Sequence, residues 1–276
     1  MSSISDPVEP TVTTTMTTVA NEANAPAPKD RLDFFRENSY VVLPNLLSPD
    51  EVRAIHEAID RDRSENPFLW WFQGNPNCGC NLLLTEPAVD VAFRPPAVLE
   101  LLDALMGSEY VFEESAVQIT EPSEVEKPTG WHRDRAHWPE HPYGLDYPQL
   151  IVYLTDVDET THCFTLSPEV AGSEPVPLEE QLRRRGTVHF HGRAGTAIFF
   201  NCAIYHGLTM RKTPHQRRIL QVYYGHPDRE PINDATILPP RLRRNAPDER
   251  TRRFYGKPNR LTRVLLRSLG VSDGEE

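Results

Sequence analysis

Apolar and polar positions change their rhythm three times along this chain. Residues 1–29 carry Thr, Ala, Pro and Ser with almost no large apolar side chains. Such a segment cannot bury enough surface to offset its ordering entropy, so it is expected to be a disordered tail. From Asp30 the apolar positions become regular. Phe34-Phe35-Arg36-Glu37-Asn38 closes a short helix, and Tyr40-Val41-Val42-Leu43 follows as a strand. Ser48-Pro49-Asp50-Glu51 is a helix start, with Ser48 as N-cap, Pro49 at the first helical position and Glu51 closing a capping box. Val52, Ile55, His56 and Ile59 give that helix one stripe. A second helix is predicted from Pro96 to Met106, stopped at Gly107.

From about Tyr110 the pattern shortens to strands between Pro- and Gly-marked turns. The predicted strands are 111–120, 130–133, 150–155, 164–166, 187–191, 196–201 and 217–224. Many short strands at this spacing predict a mainly β fold with flanking helices, a jelly roll rather than an alternating α/β sheet. We place this domain at residues 30–232. Residues 233–276 differ again: between Arg241 and Arg267 ten Arg or Lys face two acidic residues. Leu261, Val264, Leu265, Leu266 and Leu269 form an apolar stripe there. The segment reads as a basic helical extension packed on an acidic domain.

Composition narrows the function classes. A net charge of −11 over 276 residues argues against nucleic acid or an anionic membrane as the main partner. No apolar run approaches the roughly 18 residues that span a bilayer. The first residues lack the basic start and apolar core of a secretory signal. Cys78, Cys80, Cys163 and Cys202 are too few and scattered for a disulfide scaffold, which suits a reduced, cytoplasmic setting.

The candidate chemistry begins at Gly130-Trp131-His132-Arg133-Asp134. On a strand, side chains two apart share a face, so His132 and Asp134 could reach one metal ion. A third ligand would complete a two-His-one-carboxylate triad, the arrangement of non-haem ferrous iron. His206 has the best context, after the apolar run 197–200 and before Gly207, which lets backbone approach closely. Arg217 lies eleven residues later and begins a strand. A guanidinium entering a sheet core is costly unless it meets an anion, and a dicarboxylate would supply one. Strand parity puts Arg217, Ile219, Gln221 and Tyr223 on one face and Arg218 on the other, so one arginine should face in. His189 and His191 form another two-apart pair, but Gly192-Arg193-Ala194-Gly195 offers no acidic ligand. Zinc also accepts His and Asp, yet a zinc hydrolase would leave Arg217 without a purpose.

These pieces, in order, resemble the phytanoyl-CoA dioxygenase family of iron(II)/2-oxoglutarate oxygenases, which includes ectoine hydroxylase. Glu37 to Leu43 with Leu46 to Glu51 resembles the family's N-terminal strand and helix. Trp131-His132-Arg133-Asp134 resembles its His-x-Asp, and Thr161 to Glu169 the loop and strand that usually end in Pro-Gly-Ser-His. His206-Gly207 followed by Arg217 resembles its distal histidine and 2-oxoglutarate arginine. The match spans roughly residues 30–230.

The resemblance implies a double-stranded β-helix, cupin-like, with Fe(II) on His132, Asp134 and His206. It implies 2-oxoglutarate paired with Arg217, O2 as oxidant, and oxidation of a small-molecule substrate with release of succinate and carbon dioxide. Two departures stand out. Ser167-Pro168-Glu169-Val170 replaces Pro-Gly-Ser-His, and Leu208 replaces the family's small hydroxylated residue, for which Thr209 or Gln118 could compensate. Trp138 is expected in the pocket wall, Trp71 and Phe72 near the substrate mouth, and Arg135 at the rim. Asn201 and Gln221 are expected to hydrogen-bond ligands or co-substrate. The competing reading is a catalytically silent jelly-roll protein that binds metal or ligand. The sequence names neither the substrate nor the oligomeric state.

Overall fold

The computed structural model describes residues 16–70 and 76–271. Its strands are β1 (Thr17–Ala20), β2 (Tyr40–Leu43), β3 (Asn77–Gly79), β4 (Val111–Thr120), β5 (Pro148–Tyr153), β6 (Cys163–Leu166), β7 (Thr187–Phe190), β8 (Ala197–Asn201), β9 (His206–Thr209) and β10 (Arg217–Gly225). Its helices are α1 (Arg31–Asn38), α2 (Pro49–Glu65), α3 (Leu82–Thr85), α4 (Pro96–Met106), α5 (Leu178–Arg185), α6 (Arg241–Arg244), α7 (Glu249–Phe254) and α8 (Arg260–Ser268). A six-stranded sheet runs β2-β8-β5-β10-β4-β3 and a four-stranded sheet β1-β7-β6-β9. This is the jelly roll that the strand spacing predicted.

Two cores follow from the period-two alternation of the larger sheet. Leu220, Val222 and Tyr224 of β10 join the first core, with Ile55 and Ile59 of α2 and Leu101 and Leu102 of α4. Ile219 and Tyr223 face the smaller sheet, where Ile151, Tyr153, Phe164, Phe190, Ile198 and Phe200 form the second core. β4, β5 and β8 are covered on both faces, which explains their near-continuous burial. The start of α2 has the expected chemistry: the Glu51 N–H donates to Ser48 Oγ at 3.3 Å, and the Ser48 N–H to Glu51 Oε2 at 2.7 Å.

Three expectations change. Residues 17–20, expected from composition to lie in a disordered tail, form β1, paired in parallel with β7 from Thr17↔Thr187 to Ala20↔Phe190. Main-chain pairing needs no large side chain, so composition gave no sign of it. Residues 130–133 form no full strand, only a bridge at His132. In α8 the apolar stripe is not buried as a whole: Leu266 is buried, while Val264 and Leu269 are exposed. The inward edge is Thr262 and Leu266, one turn apart, and Thr262 Oγ1 accepts the Leu238 N–H at 3.0 Å.

The basic C-terminal segment is joined to the domain by charge and by rings. Lys257 Nζ lies 2.6 Å from the buried Glu113, and Arg250 2.8 Å from Asp103. Phe254 packs against Tyr110, Phe112, Tyr224 and Tyr255. Among the described residues, no helix is long and apolar enough to cross a membrane. Phe254→Ala should lower stability by about 3–5 kcal/mol in urea unfolding, as for other buried aromatics. An unchanged midpoint would show that this segment is not part of the core.

Candidate metal centre

The centre is built on one pair of backbone hydrogen bonds. The His132 N–H donates to the His206 carbonyl at 3.0 Å, and the His206 N–H to the His132 carbonyl at 3.0 Å. Two residues that exchange both bonds stand directly opposite, with side chains on one face. Their ring centroids are 4.4 Å apart. Asp134 lies two residues beyond His132 on the same face, anchored by its N–H to the Cys202 carbonyl at 3.1 Å. Gly207 makes the pairing possible: a Cβ there would stand 2.6 Å from the Gly130 carbonyl oxygen.

Among the described residues, His132, Asp134 and His206 are the group of acidic, His or Cys side chains able to hold a metal ion. Nε2 of His132 is 3.3 Å from Asp134 Oδ1, and Nε2 of His206 is 3.4 Å from Oδ2. Metal–ligand bonds of roughly 2.1 Å meeting at right angles place neighbouring ligand atoms about 3 Å apart, so the set is close to one face of an octahedron. Each imidazole is oriented by its other nitrogen. Nδ1 of His132 donates to the Gly130 carbonyl at 2.8 Å, and Nδ1 of His206 to the Ile204 carbonyl at 2.9 Å. That tautomer turns both Nε2 lone pairs toward the carboxylate, a repulsive arrangement unless a cation or proton lies between. The residues therefore fit a divalent metal. The neighbouring Asp134 raises the His132 pKa and outweighs the partial desolvation of this otherwise exposed ring. Burial pushes Asp134 up, but the neighbouring imidazoles of His132 and His206, where protonated, and the Tyr223 hydroxyl prevail and hold it well below the usual carboxylate range.

Tyr223 is the residue that the sequence reading did not assign a role. Its hydroxyl donates to Asp134 Oδ2 at 2.7 Å, and burial, with the Asp134 charge next, keeps the phenol well above its ordinary pKa and so a donor. Its place on the Arg217 face of β10 was the available signal.

Of the two arginines that parity sets on opposite faces, Arg217 is the one facing inward, and it is 3% exposed. Its guanidinium carbon lies 5.4 Å over the Tyr153 ring, and its Nε has no partner. Among the described residues, no carboxylate pairs with it. Thr120, opposite it on β4, has an equally unpartnered buried Oγ1. Arg218 faces the other way and meets Asp60 of α2 at 2.8 Å. A buried cation beside a free hydroxyl is a place for an anion.

The remaining candidates divide. Gln118 Nε2 donates to Gln221 Oε1 at 3.1 Å, and both lie on the Arg217 face. Thr209 does not: it opposes Cys163, and its Oγ1 meets Thr129 and Thr165 at 2.7 Å on the outer face of the smaller sheet. His206 and Leu208 take the inner positions of β9, which leaves Thr209 out by parity. Asn201 serves the turn before His206, accepting the Ala203 N–H at 3.0 Å and donating to the Gly144 carbonyl at 3.4 Å. Arg135 is not free at the rim either; it donates to the Pro231 and Ile232 carbonyls at 3.2 and 2.7 Å. Beneath Arg229, Trp138 stacks with His141 at 5.5 Å and meets His226 edge-on at 4.9 Å between ring centroids. Trp71 and Phe72 lie outside the described residues. His189 bonds Thr165 at 2.8 Å on the outer face, and no third metal ligand joins His189 and His191 among the described residues.

The Ser167-Pro168-Glu169-Val170 departure has a structural consequence. Glu169, 3% exposed, lies 2.7 Å from Arg133 Nη2 and 3.1 Å from His137 Nε2. The arginine contact is off the hydrogen-bond line, so charge more than direction holds it. Arg133 also lies 3.8 Å over the Tyr205 ring. Both arms of the centre, 132–134 and 204–206, are thus tied to one buried carboxylate. Burial alone would raise the Glu169 pKa, but His137 and Arg133 bring it below its ordinary value.

The comparisons with known proteins bear on this geometry. The sequence model of the phytanoyl-CoA dioxygenase family matches residues 35–219. The ectoine dioxygenase of Bordetella bronchiseptica is 22% identical over 230 residues, covering 70% of this chain and 74% of the relative. Among solved structures, the non-haem α-ketoglutarate-dependent epimerase SnoN from nogalamycin biosynthesis superposes with TM-score 0.60 at 19% identity, covering 72% of this chain and 81% of that one. EctD from S. alaskensis, solved with 2-oxoglutarate and 5-hydroxyectoine, gives TM-score 0.59 at 19% identity, covering 76% and 81%.

Two outcomes are expected from the centre itself. Gly207→Ala should lower Fe(II) affinity about 10–100-fold in anaerobic dialysis by forcing the two arms apart; unchanged affinity would refute the close-approach argument. Glu169→Gln should cost about 3–5 kcal/mol by leaving Arg133 buried without its partner. Because the Glu169 pKa is depressed, that difference is full above its ordinary value of 4.5 and closes as pH falls through the folded value. Urea unfolding as a function of pH reads both; a pH-independent gap would contradict the ion pair.

Proposed function

Since the chain belongs to the phytanoyl-CoA dioxygenase family and is an Fe(II)/2-oxoglutarate-dependent oxygenase, we propose that it oxidises an unactivated C–H bond of a small metabolite or natural-product intermediate, hydroxylation being the default outcome. Iron(II) held by His132, Asp134 and His206 would activate O2, the oxidant, with 2-oxoglutarate as the co-substrate that leaves as succinate and carbon dioxide. In this reading His132 and His206 contribute neutral imidazole nitrogens, and Asp134 contributes one negative charge. The Gly130 and Ile204 carbonyls keep the two rings in the ligating tautomer. Tyr223 holds one oxygen of Asp134 and leaves the other for the metal.

Arg217 is assigned to the distal carboxylate of 2-oxoglutarate, with the Thr120 hydroxyl beside it. Gln118 and Gln221, joined to each other, border the same face. Phe164 and Phe200 lie against the His206 ring, at 5.8 and 5.1 Å between centroids, and give that side of the site an apolar wall. The observation that carries the assignment is the buried Arg217 without an acidic partner, on the β10 face from which Tyr223 reaches Asp134. The relatives, an ectoine dioxygenase and an enzyme of nogalamycin biosynthesis, support a small-molecule substrate.

With Fe(II) and ascorbate, the protein should convert 2-oxoglutarate to succinate. His132→Ala should abolish Fe(II) binding, whereas Arg217→Ala should retain the metal and raise the KM for 2-oxoglutarate by about tenfold or more. Equal metal loss in both variants would contradict the assigned roles. A wild-type protein that neither binds iron nor turns over 2-oxoglutarate would be a silent binding protein of this fold.

A further inference from the structure

Four buried polar atoms without a partner share the inner face of the six-stranded sheet: Glu114 Oε2, Thr120 Oγ1, Gln149 Oε1 and Arg217 Nε. Thr120 and Arg217 stand opposite each other at the co-substrate end. Glu114 and Gln149 stand at the other end, on either side of Tyr223: Glu114 opposes it from β4, and Gln149 from β5. Neighbouring strands are about 4.8 Å apart, so both side chains flank the residue that holds Asp134. Glu114 is 7% exposed and Gln149 1%.

The neighbouring carboxylate shows what a structural glutamate looks like here. Glu113 and Glu114 are consecutive, and the register slips between Tyr223 and Tyr224 where β10 passes them. Glu113 accepts from Lys257 Nζ at 2.6 Å and from the Ile232 N–H at 3.1 Å. Glu114 has neither a hydrogen bond nor an ion pair among the described residues. Burial, then the charges of Asp134 and Glu113, push its pKa up to about 7. Cys78 opposes Gln118 on the same face, and burial and then Glu114 lift its thiol to about 11, so it stays neutral there; a cysteine has no cationic form and cannot balance the Glu114 charge. A buried carboxylate of this kind costs stability unless something supplies N–H donors and positive charge. Both unpartnered atoms beside Tyr223 are acceptor oxygens, so the missing group is a donor.

We propose that Glu114, with Gln149, is the substrate recognition point, and that the substrate is a small molecule bearing a basic nitrogen, an amine or amidine, docked beside Tyr223. This rests on the oxygenase reading and deepens it. Recognition at this point would orient the substrate from the strand face that also positions Asp134, so the basic group and the oxidised carbon are held a short distance apart.

The test uses the full chain loaded anaerobically with Fe(II) and 2-oxoglutarate, and three probes of equal size: n-butylammonium, n-butanol and butyrate. Binding is read as paramagnetic broadening of the probe's methyl resonance. Selective, saturable broadening of butylammonium is expected, with affinity about tenfold weaker in Glu114→Gln. That variant removes an uncompensated buried charge, so it should fold with an unchanged or raised Tm. Equal broadening by all three probes, no broadening by butylammonium, or the same affinity in Glu114→Gln would overturn the proposal. Wild-type conversion of 2-oxoglutarate to succinate, measured alongside, separates the two ideas: with turnover intact only the substrate class is lost, and without it the oxygenase reading falls as well.

Discussion

The reciprocal backbone pair between His132 and His206 is the constraint on which the rest of the centre depends. It sets two residues 74 positions apart directly opposite each other. Pairing of this kind leaves no freedom in side-chain face, because a slip of one residue would turn an imidazole away from the carboxylate. Gly207 permits the close approach, and the Gly130 and Ile204 carbonyls fix the ring tautomers. The candidate metal ligands are thus positioned chiefly by main chain, which has little conformational entropy left to lose when an ion binds.

The inner face of β10 organises what surrounds the ligands. Arg217, Ile219, Gln221 and Tyr223 follow one another at every second position, and each meets a partner strand in register. One end of the row offers a buried cation, the middle a glutamine pair, the far end a phenol on the metal carboxylate. The opposite face of the same strand, with Leu220, Val222 and Tyr224, is given to the helix-side core. Alternation lets one strand serve packing and chemistry without conflict. The register slip beside Glu113 and Glu114 separates two adjacent carboxylates: one is claimed by Lys257, the other is left facing the site.

Residues near the centre that the sequence reading treated as binding groups show why proximity in sequence is a poor guide. Asn201, Arg135 and Thr209 all lie within a few positions of a ligand, and all are occupied elsewhere. Loops that bring distant strands together expose carbonyls and N–H groups, and nearby polar side chains are drawn into satisfying them. Glu169 replaced a family motif in sequence and became the anchor for Arg133 and His137. That role depends on a segment 36 residues from Arg133 and was invisible without the fold.

The sequence by itself determined the class of fold, because many short strands with alternating burial leave few architectures open. It also determined that one of Arg217 and Arg218 turns inward, because side-chain parity on a strand is a local property; His132 and Asp134 come to one face although residues 130–133 form only a bridge, so the fold settled that placement. Only the tertiary structure decided which partners those side chains meet. It brought His206 opposite His132, joined Tyr223 to Asp134, left Arg217 without an acid and left Glu114 without a cation. It also paired β1 with β7, where composition had suggested no order. The physical reason is the same in each case: periodicity is encoded along the chain, whereas register, burial and unmet hydrogen-bond demand arise only between segments far apart in it.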